Sequence, residues 1–133
     1  MINQIKIFKN KFKKNILIRE YVEISKEIII KKKNNKLLST IYRNENYYQI
    51  FIILLESFID EVNVTESLIS KKLSCSKLTT QKYLSDFNEN GIITFKLDKV
   101  DQRKKNIFFT NSFLIELSQL FKIFNNRADI KGF

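Results

Sequence analysis

Apolar residues return every three or four positions from Asn15 to about Asn34: Ile16, Leu17, Tyr21, Ile24 and Ile28 fall on one side of a helix, with charged residues between them. That repeat lets a helix lay one face on a core, and it predicts a first helix here. A polar break, Asn44–Asn46, precedes Tyr47–Glu61, which is apolar nearly all round and reads as a central helix buried on most sides. Val64-Thr65-Glu66 has the character of a helix start. The Thr65 hydroxyl can accept from free backbone N–H groups, and Glu66 is favourable at the positive end. A short helix to about Leu73 follows, then the turn Ser74-Cys75-Ser76. Ser76 can cap another helix reaching Asn90, with Leu78, Tyr83, Leu84 and Phe87 as its apolar contacts and Gly91 ending it in a left-handed conformation. After Gly91 the period shortens. Ile92–Leu97 is rich in β-formers, Asp98–Lys105 is polar and Asn106–Phe109 is β-like again, which predicts a hairpin. From Asn111 the apolar residues Phe113, Leu117, Leu120 and Phe124 recur at threes and fours, with Leu114 and Phe121 beside them.

Two short helices joined by a tight turn, the second stopped by glycine, make a helix-turn-helix. Followed by a hairpin and a closing helix, they predict a mainly α chain with a small β-hairpin, a winged helix whose hairpin tip is the wing. A plain helical bundle without a true hairpin is the rival arrangement. The 133 residues suit a single domain, and 44% hydrophobic content with 12 Phe and 5 Tyr suffices for one core. Within 1–133 the expected parts are an N-terminal helix region at 15–43, the winged helix-turn-helix at 45–110 and a C-terminal helix at 111–133. With no Pro, and with Gly91 and Gly132 as the two glycines, these boundaries rest on caps and polar clusters.

Charge narrows the function. Against 14 acidic residues stand 24 Lys and Arg, a net of +10 that points to a polyanionic partner. The excess is uneven, since residues 44–70 hold acidic side chains alone while both flanks are basic. One cysteine, Cys75, cannot form an internal disulfide or a multi-cysteine metal site; without any His a zinc site would have to be all-carboxylate, which is not expected, and no Cys–His or Ser–His nucleophile can be assembled. No enzyme, metal or cofactor is expected, and Cys75 reads as a small packed residue. Met1–Lys14 interleaves lysines with apolar residues and is no signal peptide. The longest apolar run, Ile50–Leu55, is too short to span a bilayer. A cytoplasmic location is the expectation.

The stretch Gly91–Thr110, GIITFKLDKVDQRKKNIFFT, resembles the wing of MarR-type transcriptional regulators. Asp101 and Arg103 match that family's Asp-x-Arg wing tip, and Phe109-Thr110 stands where an apolar-Thr pair follows the second strand. Upstream, Leu68, Leu73 and the segment Ser76–Gly91 fit its helix-turn-helix, so that the likeness covers about residues 45–125. Phe95 stands where the family usually has Arg, and Phe113 where a Gly is common. The resemblance implies a homodimer joined through its terminal helices, with Phe113, Leu117, Leu120, Phe121 and Phe124 at the interface, and two recognition helices on a palindromic duplex. Some family members bind small effectors. The aromatic-rich Tyr42–Phe58 region marks no such ligand here. The same apolar stripe can also serve a single chain's own core.

In a helix-turn-helix the second helix puts its N-terminal residues against base edges in the major groove. Those residues are Ser76, Lys77, Thr79, Thr80, Gln81 and Lys82. Gln81 suits adenine, Thr79 and Thr80 a thymine methyl or a phosphate, and Lys77 and Lys82 phosphates. On the wing, Lys99, Arg103, Lys104 and Lys105 would meet the backbone or minor groove, with Asp101 holding Arg103 in place. The lysines at 6, 9, 11, 13, 14 and 31–33 read as solvated, with contact to outlying phosphates or to an anionic membrane surface as alternatives. The expected activity is sequence-specific regulation on double-stranded DNA. An architectural or replicative role on DNA and a protein-interaction winged helix are the other readings.

Overall fold

The computed structural model describes residues 2–128, and among these every side chain except those of Ile2, Phe121 and residues 123–128. The described elements run α1 Ile2–Lys14, α2 Ile16–Asn34, α3 Lys36–Ile41, α4 Glu45–Asp60, α5 Glu66–Leu73, α6 Lys77–Glu89, β1 Ile93–Leu97, β2 Lys105–Phe109 and α7 Asn111–Ala128.

In a chain without proline, side-chain caps do the punctuation. Asn15 Oδ1 accepts from the amides of Leu17 and Ile18, and Asn35 does the same for Leu37 and Leu38. Asn44, Thr65 and Ser76 open α4, α5 and α6 by accepting from Tyr47, Leu68 and Thr79. Such caps satisfy donors that a helix start otherwise leaves bare, each for about 1 kcal/mol. Three described residues take left-handed backbone: Glu61 (φ 56°) after α4, Ser74 (φ 53°) after α5 and Gly91 (φ 73°) after α6. Gly91 is therefore the stop that the sequence predicts, whereas Glu61 and Ser74 hold this conformation against a Cβ penalty of about 1–2 kcal/mol each.

The hairpin pairs β1 with β2 antiparallel, Ile93 opposite Phe109, Phe95 opposite Ile107 and Leu97 opposite Lys105. The extended segment before α5 adds a further rung, with Thr65 bridged to Asn106 and Ile107 N donating to Val64 O at 2.8 Å. Tyr47, Ile50, Phe51 and Leu54 of α4 form the middle of the core against Ile69, Leu84, Phe87, Ile93, Ile107, Phe109 and Phe113. Phe51, Phe109 and Phe113 meet pairwise with ring centroids 5.0–6.3 Å apart, tying α4, the wing and α7 together.

Four expectations need correction. An extra helix, α1, precedes the predicted first one, and the region 15–43 divides into α2 and α3 because Asn35 caps a new start. The α2 face is not a core face: no residue of α2 is buried, and Ile16, Leu17 and Tyr21 are exposed. The central helix buries one side only, leaving Ile52, Phe58 and Ile59 exposed. Leu78 contributes nothing to the core and is 78% exposed, because α6 turns Thr80, Leu84 and Phe87 inward instead. The predicted hairpin is present, which removes the plain bundle from consideration.

Candidate nucleic-acid interface

The second helix of the motif, α6, has one inward and one outward side. At 100° per residue, Thr80, Leu84 and Phe87 cluster on one side and are buried, and the opposite crest carries Leu78, Lys82 and Ser85, with Gln81 on its shoulder and Lys77 between that shoulder and the buried side. Ser76, Lys77, Thr79, Gln81 and Lys82 are all exposed. Ser76 is occupied as the cap, accepting from Thr79 N at 3.1 Å and donating to Thr79 Oγ1 at 2.8 Å, so its own hydroxyl is engaged in both directions. Thr80 does not belong to the surface. It is 0% exposed, and its hydroxyl donates to Ser76 O at 3.0 Å, so the predicted contact from Thr80 is withdrawn. Periodicity could have shown this, since Thr80 lies four residues before Leu84 and seven before Phe87, on the same helix side.

The wing tip is organised by two aspartates. Asp98 Oδ1 accepts from Val100 N at 2.8 Å and Asp101 N at 3.4 Å, and the Asp98 amide donates to Lys104 O. The Val100 and Asp101 amides, with help from the Asn106 side chain and the charge of Lys104, hold the Asp98 carboxyl below the ordinary carboxylate range. Asp101 Oδ1 in turn accepts from Arg103 N at 3.1 Å and from Arg103 Nε at 3.2 Å. This is the geometry expected for a carboxylate that aims a guanidinium. The Arg103 side chain stays 93% exposed, with its outer nitrogens turned to solvent where they can meet an anion. Lys99, Lys104 and Lys105 are exposed around it. Asp98 was not singled out in the sequence; its signal was the Asp-x-x-Asp spacing, which suits consecutive side-chain-capped turns.

Wing and helix face a common groove. A solvent-open depression of about 420 Å³ is lined by Thr65, Glu66 and Ser67 at the start of α5, Lys77 and Gln81 of α6, and Arg103, Lys104 and Lys105 of the wing. Both helices of the motif and the wing thus converge on one concave surface, whose charged lining is four cations against Glu66. The helix behind it is held from within. Tyr47 donates to Asp86 of α6, and Arg43 Nη1 contacts both the Tyr47 hydroxyl and Asp86 Oδ2 at 3.2 Å. Tyr47 also stacks on Phe87 at 5.8 Å, and burial, followed by the bond to Asp86, pushes its phenol pKa up.

The predicted interface stripe divides. Phe113, Leu117 and Leu120 are buried within the chain at 2%, 6% and 8% exposure, so these three serve the chain's own core. The side chains of Phe121 and Phe124 lie outside the described residues. Among the described residues, the N-terminal helices carry much exposed apolar surface: Ile5, Phe8 and Phe12 of α1, and Ile16, Leu17, Tyr21, Ile29 and Ile30 of α2. Between α2, α3 and α7 lies a cavity of about 320 Å³, bounded by Lys31, Leu38, Phe113, Glu116 and Leu120 among others. Lysines 6, 9, 11, 13 and 14 are exposed on α1. Cys75 is half-buried in the turn before α6. No group of side chains suited to hold a metal ion is found among the described residues, and no described helix is long and apolar enough to cross a membrane.

No protein-family model matches the chain, and no curated protein matches it either. Solved structures do. A point mutant of S. aureus MepR superposes with a TM-score of 0.53 at 23% identity, over 82% of this chain and 77% of that one. The heme sensor PefR from Streptococcus agalactiae, in complex with heme, gives 0.53 at 16% identity over 96% and 74%. A second point mutant of S. aureus MepR, bound to an oligodeoxyribonucleotide, gives 0.51 at 20% over 82% and 79%. These neighbours are MarR-family regulators. Agreement at such low identity is agreement of backbone: the capped helix-turn-helix, the Gly91 stop and the pinned hairpin together give this chain the MarR-type winged helix-turn-helix fold.

Proposed function

We propose that the protein is a sequence-specific regulator that binds double-stranded DNA as a homodimer on a palindromic site. The observation that carries this reading is the basic groove shared by α6 and the wing, in which Lys77, Gln81, Arg103, Lys104 and Lys105 line one open concave face. A helix crest of roughly the major groove's width, flanked by a projecting basic loop, fits a duplex: the crest reaches base edges while the wing meets the phosphates or the adjacent minor groove. Lys77, Lys82, Lys99, Lys104 and Lys105 would supply backbone contacts, Gln81 an adenine contact, and Arg103, aimed by Asp101, the insertion into the minor groove.

A second copy is supported by the apolar side chains left exposed around α2, a helix with no buried residue: Ile16, Leu17, Tyr21, Ile29 and Ile30. Apolar surface of that extent on one helix is favourable to cover, and a two-fold partner covers part of it with the same side chains of its own α2. Two recognition helices about 34 Å apart then define a site of two half-sites.

The test is selection of bound duplexes from a random library with purified protein, followed by fluorescence anisotropy of the selected and a scrambled site across salt concentrations. A palindromic consensus held about 1000-fold tighter than scrambled DNA, with an inverse salt slope, is the expected result. Weak binding indifferent to sequence would replace this reading with an architectural role, and no binding at all with a protein-interaction module.

A further inference from the structure

Leu78 is the residue whose place in the sequence pattern and in the fold disagree most. It lies in the first turn of α6, it is 78% exposed, and it stands on the crest opposite Thr80, Leu84 and Phe87. Its neighbours on that crest are polar: Gln81 and Lys82 one turn on, Ser85 two turns on. An isolated exposed leucine is ordinary on a protein surface. This one stands at the centre of the helix side that the basic groove and the wing flank, within the turn that enters a major groove deepest.

We infer that Leu78 reads the C5-methyl group of a thymine in each half-site. The inference deepens the DNA-binding reading above and rests on it. Among the four bases, thymine alone presents a methyl group in the major groove, and an apolar side chain is the complement of that group. Thr80, the residue that the sequence pattern nominated for such a contact along with Thr79, is buried, and the exposed Thr79 offers one methyl beside a hydroxyl that accepts from Ser76. Leu78 is the large apolar side chain on the outward side of that turn. Gln81 lies three residues on, so the pair spans neighbouring base pairs: Gln81 bonds the N6 and N7 of an adenine while Leu78 covers the methyl of a thymine beside it. Specificity at this step of the site is then for A·T pairs, read by shape and apolar contact at one and by hydrogen bonds at the other.

The experiment uses the full chain and its selected duplex. Each thymine in turn is replaced by deoxyuridine, which removes the methyl and leaves all hydrogen-bonding groups in place, and binding is measured for the wild type and for Leu78→Ala. One symmetric position is expected at which deoxyuridine weakens the wild type by about fourfold per half-site, the change that one buried methyl group supplies, and leaves Leu78→Ala unaffected. Leu78→Ala should melt at the wild-type temperature, because an exposed side chain is removed. Deoxyuridine effects of equal size in both proteins, or none in either, on a duplex that is still bound selectively, would overturn the role of Leu78 and leave the regulator reading standing. Failure to select any duplex would overturn both.

Discussion

Removing the two adjacent wing lysines, as Lys104→Ala/Lys105→Ala, separates bound charge from merely solvated charge. Both side chains are exposed, and neither stands in a salt bridge among the described residues. Lys105 keeps its backbone pairing with Leu97, so the hairpin register does not depend on what is removed. Stability should change by less than about 0.5 kcal/mol, as for other surface substitutions. Binding should change in a specific way. Each phosphate contact releases counterions and adds about 0.9 to the slope of log K against log salt, so a dimer losing both lysines on both wings loses about 3.6. Between about 50 and about 200 mM salt this alters the ratio of wild-type to variant affinity roughly a hundredfold, with the wild type losing its advantage as salt rises. The assay is anisotropy of the selected duplex across a salt series, paired with a thermal melt. Parallel lines for the two proteins would refute the reasoning: the wing lysines would then touch no phosphate, whatever their effect on affinity at one salt concentration.

Thr80→Val should cost about 0.5–1.5 kcal/mol in urea unfolding through the lost bond to Ser76 O, with affinity for DNA unchanged; a folded valine variant that binds poorly would put Thr80 back on the interface. Phe87→Ala removes a fully buried ring stacked on Tyr47, and a loss of about 3–5 kcal/mol in the same assay is expected. The Asp98 carboxyl lies below its ordinary range, so the wing turn it holds is intact above the unfolded-state pKa and is lost as pH falls through the folded-state one. The amide chemical shift of Val100 should therefore be flat from about pH 5 to about pH 8 and change only in acid. Replacing Asp98 by Asn should abolish that acid transition, and its persistence in the Asn variant would assign it to another group.

Local rules were enough for much of this molecule. Asn15, Thr65 and Ser76 cap helices because a short side-chain oxygen followed by free amides does so wherever it occurs, and Gly91 ends α6 because only glycine takes a left-handed turn without cost. The change of period after Gly91 announced the hairpin, and the pair Asp101 and Arg103 its tip, since both signals act over a few residues. What residue-by-residue hydrophobicity left undecided is which side of each helix meets the rest, even where, as at Thr80, the helical period held the answer. Leu78 and Thr80 carry opposite expectations by hydrophobicity, and packing reversed them: the α6 side shared by Leu84 and Phe87 includes Thr80, whose hydroxyl finds its partner in the Ser76 carbonyl, and excludes Leu78. The stripe on α7 and the face on α2 show the same limit, for the period that marks an amphipathic helix is blind to whether its own chain or a second one covers it. Only the tertiary arrangement settles that Phe113, Leu117 and Leu120 fill the core while the α2 face stays open, and only it brings Lys77, Gln81 and Arg103, distant along the chain, to one groove.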